Sequence, residues 1–206
     1  IYCKAGRMPN CRLQLDFPSV GATENIMLAA CLGNHTVTIV NAAREPEIAD
    51  LQDFLNKMGA KIRGAGGSVI VIEGVNQLHD AEKTIMPDRI VAESLLFATA
   101  ATGGDVTLTN VQLSHITSGI SLLEEMGATI TTKEDRVRIK AGGPLRAIDT
   151  VQTLPYPGFP TDAQPLLMAA LTVAKGTSII KETIFENRFK AAAELQKMGA
   201  DITINE

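Results

Sequence analysis

Tryptophan is absent and aromatic residues of all kinds make up only 4% of the 206-residue chain, so a core, if there is one, must be aliphatic. With 45% apolar residues, Ile, Leu, Val, Ala and Met supply enough side chains to build it. Cysteine is scarce. The odd count and irregular spacing of Cys3, Cys11 and Cys31 exclude a disulfide framework. Cys31 lies in an apolar run and reads as core packing, and a reducing cytoplasm follows. No apolar run reaches the roughly 18 residues of a membrane span, and no basic-then-apolar opening marks a secretory signal, so no membrane partner is expected. Positive charge is not in excess: the formal net charge is −4, and no dense Lys/Arg stripe offers a surface for nucleic acid. His35, His79 and His115 fall in separate stretches without ligand spacing, so no metal and no cofactor are expected. A Walker-type phosphate loop and a Ser/His/Asp set are also missing.

What the chain has is a phrase that occurs three times. Leu55-Asn56-Lys57-Met58-Gly59-Ala60-Lys61-Ile62, Leu123-Glu124-Glu125-Met126-Gly127-Ala128-Thr129-Ile130 and Leu195-Gln196-Lys197-Met198-Gly199-Ala200-Asp201-Ile202 lie about 70 residues apart. Each copy reads as the end of an amphipathic helix closing on Leu and Met, then a Gly in the left-handed position that a Cβ resists, then a strand. Stripes at spacings of three and four lead into each copy: Ile48, Leu51, Leu55 and Met58; Ile116, Ile120, Leu123 and Met126; Phe189, Ala192, Leu195 and Met198.

The flanks repeat as well. Each copy is preceded by a strand, a helix apolar on every side and a second strand. The apolar helices run around residues 24–32, 95–98 and 166–170, and burial on all sides is expected for them. Strands are expected at 12–16, 36–40, 61–63, 69–72, 82–86, 106–109, 129–132, 137–139, 147–152, 178–180 and 201–205. The fold class is therefore α/β with repeated βαβαββ units, and helices enclosed by sheets follow from the patterning. The third repeat stops before its last strand, so the sequence is expected to be an excerpt that ends inside a unit.

Polar loops recur where the fold does not demand them. Ser19-Val20-Gly21 opens the first apolar helix and has the free N–H groups that suit a phosphate, although a plain cap needs no more than Ser19. Asp162 stands at the corresponding place in the third repeat, as a helix cap or a first-turn carboxylate. Arg188 precedes the last amphipathic helix, with Glu186 close enough for a surface ion pair.

Asp16-Phe17-Pro18-Ser19-Val20-Gly21-Ala22-Thr23-Glu24-Asn25-Ile26-Met27 resembles the UDP-N-acetylglucosamine 1-carboxyvinyltransferase (enolpyruvyl transferase) family. So do Asn41-Ala42-Ala43-Arg44-Glu45-Pro46-Glu47-Ile48, Phe159-Pro160-Thr161-Asp162 and Thr183-Ile184-Phe185-Glu186-Asn187-Arg188-Phe189, in the order the family has them. The resemblance implies two inside-out α/β barrel domains, each of three βαβαββ units. It would make residues 1–85 the last part of the first, catalytic domain and residues 86–206 part of the second. It implies transfer of enolpyruvyl from phosphoenolpyruvate to the 3-hydroxyl of UDP-N-acetylglucosamine with release of phosphate, early in peptidoglycan precursor synthesis. On that reading Asp162 accepts the hydroxyl proton and Arg188 balances phosphate and carboxylate charge. Ser19, Val20 and Gly21 hold the UDP end, and Ile184 and Phe185 lie beside the sugar nucleotide. The family's catalytic cysteine loop and its Lys-Asn pair find no match here, so other parts of the protein's own chain would complete the site. The sibling 5-enolpyruvylshikimate-3-phosphate synthase and a non-catalytic sugar-nucleotide-binding paralogue are the alternatives. Signatures for shikimate are not seen.

Overall fold

The structure, a computed structural model, describes residue 2, residue 6 and residues 8–205. Cys3 lies outside the described residues. The chain divides into two compact units, Ile1–Met86 and Pro87–Glu206.

The first unit runs β1 (Cys11–Gln14), α1 (Val20–Ala30), β2 (Thr36–Val40), α2 (Pro46–Lys57), β3 (Lys61–Arg63) and β4 (Val69–Glu73), the βαβαββ order read from the sequence. Its four strands form one sheet in the order β1-β2-β4-β3, with β1 parallel to β2 and the other pairs antiparallel. Register follows from alternation. Val37 faces Ile72 and Ile39 faces Ile70 across β2 and β4, all four are buried, and a shift of one residue would turn them outward. Met27 of α1 and Ile48 and Leu55 of α2 close this core. Cys31 belongs to it. Its thiol donates to Leu28 O at 3.1 Å, and burial pushes its pKa up despite a backbone hydrogen bond that acts the other way, so it is a packing residue.

The second unit contains α3 (Arg89–Thr102), β5 (Asp105–Leu108), a 3₁₀ turn (Leu113–His115), α4 (Thr117–Glu125), β6 (Thr129–Lys133), β7 (Arg136–Lys140), β8 (Thr150–Gln152), α5 (Gln164–Leu171), β9 (Ile179–Lys181) and α6 (Lys190–Lys197). An antiparallel sheet has the order β5-β7-β6, and β8 and β9 make a separate parallel pair. The core gathers Leu96 and Phe97 from α3, Leu123 from α4, Val137 and Ile139 from β7 and Leu167 from α5. Phe97 meets Phe159 edge to face, with centroids 6.3 Å apart.

The thrice-repeated phrase is the same C-terminal cap each time. Gly59, Gly127 and Gly199 have φ of +98°, +98° and +97°. In each copy the following Ala N–H donates to the carbonyl of the Leu five residues back at 3.0 Å, and the Gly N–H donates to the carbonyl three residues back. Replacing any of the three Gly residues by Ala is expected to cost about 1–2 kcal/mol of stability, because a Cβ resists this backbone. Gly59→Ala is expected to cost most, since the new methyl would lie 3.1 Å from the His79 ring, whereas at Gly199 it would meet nothing within 4 Å. Urea unfolding of the three variants measures the order.

Several expectations are corrected. Met27, Phe97 and Met168 are buried, but the apolar helices are not covered all round: Leu28 is 52% exposed, and Val91 and Leu95 of α3 are 55% and 49% exposed. Apolarity shows that a face can be buried, while burial also needs a neighbour, and within its own unit each of these two helices packs on one side only. The segment 82–86 forms no strand. Lys83 Nζ ties it to α2 through Asp50 Oδ1 at 2.7 Å and Asp50 O at 2.8 Å, and among the described residues no strand pairs with its backbone. Residues 201–205 likewise have no partner strand among the described residues, and an extended segment without a ladder is not a strand. Along the third amphipathic stripe only Ala192 is fully covered, and Met198 is 83% exposed where its counterpart Met126 is buried. Helix α1 begins at Val20, four residues before the expected start, because Ser19 caps it.

Candidate active site

Ser19, Val20 and Gly21 lie together in the first unit, at the start of α1. Ser19 is the N-cap: its Oγ accepts from Ala22 N at 3.2 Å and its carbonyl accepts from both Thr23 N and Thr23 Oγ1. Thr23 is no cap. It is fully buried, and its hydroxyl oxygen accepts from Ala43 N at 3.1 Å, which fixes the loop after β2 against the helix. Ser19 and Gly21 are exposed, and the space where a Gly21 side chain would stand is open. The first N–H groups of an α-helix have no acceptor within the helix, and they carry the positive end of its dipole. This corner can therefore accept an anion whose oxygens approach closely.

Asp162, Arg188, Ile184 and Phe185 come together in the second unit. They stand on the two segments that leave the parallel strands β8 and β9, whose last residues, Gln152 and Lys181, are register partners. The first segment folds back tightly: Gly158 N donates to Pro155 O at 2.9 Å and Leu154 N to Phe159 O at 3.0 Å, which drops the Phe159 ring into the core. Thr161 and Ala163 are buried on either side of Asp162, whose carboxylate is thereby left as the group that projects.

The local partners of these two residues differ from those the sequence suggests. Asp162 does not cap α5, whose N-cap position is held by Ala163 without a side-chain bond. Arg188 pairs not with Glu186 but with Asp162, its Nη2 donating to Oδ1 at 2.6 Å. The guanidinium also stands over the Phe185 ring, 5.4 Å from its centroid. Side-chain exposures of 34% for Arg188 and 55% for Asp162 keep the ion pair well hydrated, so it is worth no more than about 1 kcal/mol and can be surrendered to a ligand.

The residue that sequence reasoning missed is Glu182. Its Oε1 accepts from Thr153 Oγ1 at 2.9 Å, Ile184 N at 2.8 Å and Phe185 N at 3.1 Å, and its Oε2 accepts from Thr161 Oγ1 at 2.8 Å. Desolvation works to raise its pKa, but the donors from Ile184, Thr161, Phe185 and Thr153 outweigh it and hold the carboxyl below the usual range. Only its place next to Thr183-Ile184-Phe185 could have drawn attention to it.

Among the described residues no group of three or more His, Cys, Asp and Glu side chains is arranged to hold a metal ion, and no helix is long and apolar enough to cross a membrane.

Parallel-strand βαβ elements, antiparallel hairpins and helix caps at a fixed repeat, together with a carboxylate and a guanidinium on adjoining loops, define an α/β protein of repeated build with a polar site at its strand ends. The chain belongs to the EPSP synthase (3-phosphoshikimate 1-carboxyvinyltransferase) family, whose family model matches residues 1–206. It is 53% identical over 204 residues to UDP-N-acetylglucosamine 1-carboxyvinyltransferase 2 of Caldanaerobacter subterraneus, covering 99% of this chain and 49% of that protein. It is 57% identical over 198 residues to UDP-N-acetylglucosamine 1-carboxyvinyltransferase 1 of Symbiobacterium thermophilum, covering 95% of this chain and 44% of that protein. The chain thus spans about half the length of the curated relatives it matches. Among solved structures it is similar to the enolpyruvyl transferase NikO from Streptomyces tendae, with a TM-score of 0.82 and 25% identity over 93% of this chain and 48% of that one. The fold is also that of EPSP synthase from Acinetobacter baumannii, with a TM-score of 0.61 at 21% identity, covering 94% of this chain and 46% of that one.

Proposed function

We propose that the whole protein transfers the enolpyruvyl group of phosphoenolpyruvate to the 3-hydroxyl of UDP-N-acetylglucosamine and releases phosphate. The names of the relatives that share more than half of their residues with this chain support the reaction and the sugar nucleotide. The observation that carries it to particular residues is the Asp162–Arg188 pair, an exposed carboxylate that caps no helix, held against a cation. A sugar hydroxyl is a weak nucleophile at neutral pH. Asp162 accepts its proton as the oxygen bonds to C2 of phosphoenolpyruvate, whose methylene carbon takes up a proton. The resulting tetrahedral intermediate loses a proton from the new methyl group as the bond to phosphate breaks, which restores the double bond. Arg188 offsets the charge of the phosphate and carboxylate groups. Ser19, Val20 and Gly21 receive the UDP end, and Ile184 and Phe185 border the sugar nucleotide.

On this reading residues 1–85 close one domain of the enzyme and residues 86–206 belong to the next. Other parts of the chain supply the proton donor and further contacts to phosphoenolpyruvate. The setting is peptidoglycan precursor synthesis in the bacterial cytoplasm, and through the wall it bears on cell shape and division. The test is phosphate release with both substrates. The full-length protein is expected to turn over and the 206-residue chain alone to release no phosphate above background. Turnover by the short chain near that of the full-length protein would refute the division of labour, and a full-length protein without turnover would refute the reaction.

A further inference from the structure

We propose that Glu182 is the positioning residue of the Asp162–Arg188 pair, a single carboxylate that fastens the loop carrying the one to the loop carrying the other. The inference rests on the enolpyruvyl-transfer reading for what misplacement would cost.

Where β8 and β9 end side by side, the chain departs twice from the same edge, and nothing in the parallel ladder beyond Gln152 and Lys181 dictates how the two departures lie against each other. Glu182 is the first residue after β9. Its Oε2 takes the hydroxyl of Thr161, the immediate neighbour of Asp162. Its Oε1 takes the N–H groups of Ile184 and Phe185, and the Phe185 ring supports the guanidinium of Arg188. The same Oε1 takes the hydroxyl of Thr153, the first residue after β8. Thr183 closes the arrangement: its N–H donates to Thr153 Oγ1 at 2.9 Å, and its own hydroxyl donates to Thr153 O at 2.5 Å. Thr153 is fully buried and Thr161 nearly so, so these are fixed points. A residue that served only its own turn would bond within one segment. Glu182 bonds to both, across 29 positions to Thr153 and 21 to Thr161.

Misplacing a proton acceptor by about 1 Å costs on the order of 10²-fold in rate. The test uses the full-length protein with Glu182→Ala, Glu182→Gln and Thr161→Val, reading kcat, KM and melting temperature for each. Glu182→Ala is expected to lose about 10²-fold in kcat. Glu182→Gln keeps an oxygen for Thr153, Ile184 and Phe185, and its amide can donate to Thr161 Oγ1, so it is expected to stay within about threefold of the parent. Thr161→Val cuts only the link toward Asp162 and is expected to lower kcat about tenfold with the melting temperature unchanged. That split, together with rescue by Gln, separates positioning from simple support of the fold. Glu182→Ala within about twofold of the parent overturns the proposal, as does Glu182→Gln as impaired as Glu182→Ala. If Glu182→Ala does not fold, Thr161→Val decides alone, and a kcat within about twofold of the parent overturns the proposal. A parent protein that releases no phosphate overturns the functional reading and this role with it. A parent that turns over, with variants that do so equally well, overturns the role of Glu182 alone.

Discussion

Asp162→Asn in the full-length protein is expected to lower kcat by about 10²–10⁴-fold while KM for the sugar nucleotide stays near that of the parent. Asn has the shape of Asp and still offers an oxygen to Arg188 Nη2, so the loop and the contact that now measures 2.6 Å can persist. What Asn cannot do is take a proton from a hydroxyl. Loss of rate without loss of binding is the mark of a group that acts in the transition state alone. Steady-state phosphate release at saturating phosphoenolpyruvate gives both constants. A variant with unchanged kcat would remove Asp162 from the chemistry and leave it as a partner for Arg188.

The second large effect concerns stability. Glu93, in the second turn of α3, is 1% exposed, and no donor reaches either carboxylate oxygen in full hydrogen-bond geometry, the Gly119 N–H being near but poorly aligned. It abuts Gly119 near the start of α4, where an added Cβ would lie 2.6 Å from Glu93 Oε1 and would push the carboxylate aside. Desolvation pushes its pKa up to about 7, while the charge of Arg89 and the Gly119 N–H pull the other way without prevailing. The sign follows. In the unfolded chain Glu93 ionises near 4.5, and in the folded chain it stays protonated to about 7. Its contribution to stability is complete below about pH 4.5 and is lost as pH rises to 7, because the unfolded state releases the proton first. The full swing is about 3 kcal/mol. Glu93→Gln has no proton to lose, so its stability relative to the parent is expected to rise by about that amount between pH 4.5 and pH 8. Urea unfolding of the full-length protein across this range, with hydrogen exchange at the amides of α3 to report on this unit, checks it. Parallel pH profiles for parent and variant would show that the carboxyl titrates normally.

The features legible in the sequence are those whose causes are local. The three helix caps could be read directly, because a left-handed Gly and a bond between residues five apart involve only neighbouring positions. β2 falls where the β-rich run 36–40 put it, and β3 where a strand was expected after the Gly59 cap. Strands at 82–86 and 201–205 were illegible as errors, because a strand exists only through a partner elsewhere in the chain. The exposed faces of α1 and α3 were missed for the same reason: composition states what a surface tolerates, not what stands against it. Asp162 and Arg188 stood out by resemblance, while their residue types alone allowed a cap and a surface pair. Beyond its place next to Thr183-Ile184-Phe185, pattern does not mark Glu182, since its meaning lies in reaching Thr153 and Thr161 from the adjoining end of a neighbouring strand. Glu93 lies just before the apolar run 95–98, and its residue type gives no sign of burial.

The inward direction of two peptide groups has a bearing on ligand recognition. The amides of Ile184 and Phe185 already have Glu182 as their acceptor, so these two peptide groups are not available to a negatively charged guest. An oxyanion arriving there is met by the guanidinium of Arg188, a flat donor on a flexible stem. At α1 the terms are reversed: a rigid peptide corner with an empty space at Gly21 is shaped for close contact. One anion-receptive corner is thus built from backbone and the other from a side chain, so removing a side chain tests the second, whereas the first is tested by adding one, as in Gly21→Ala.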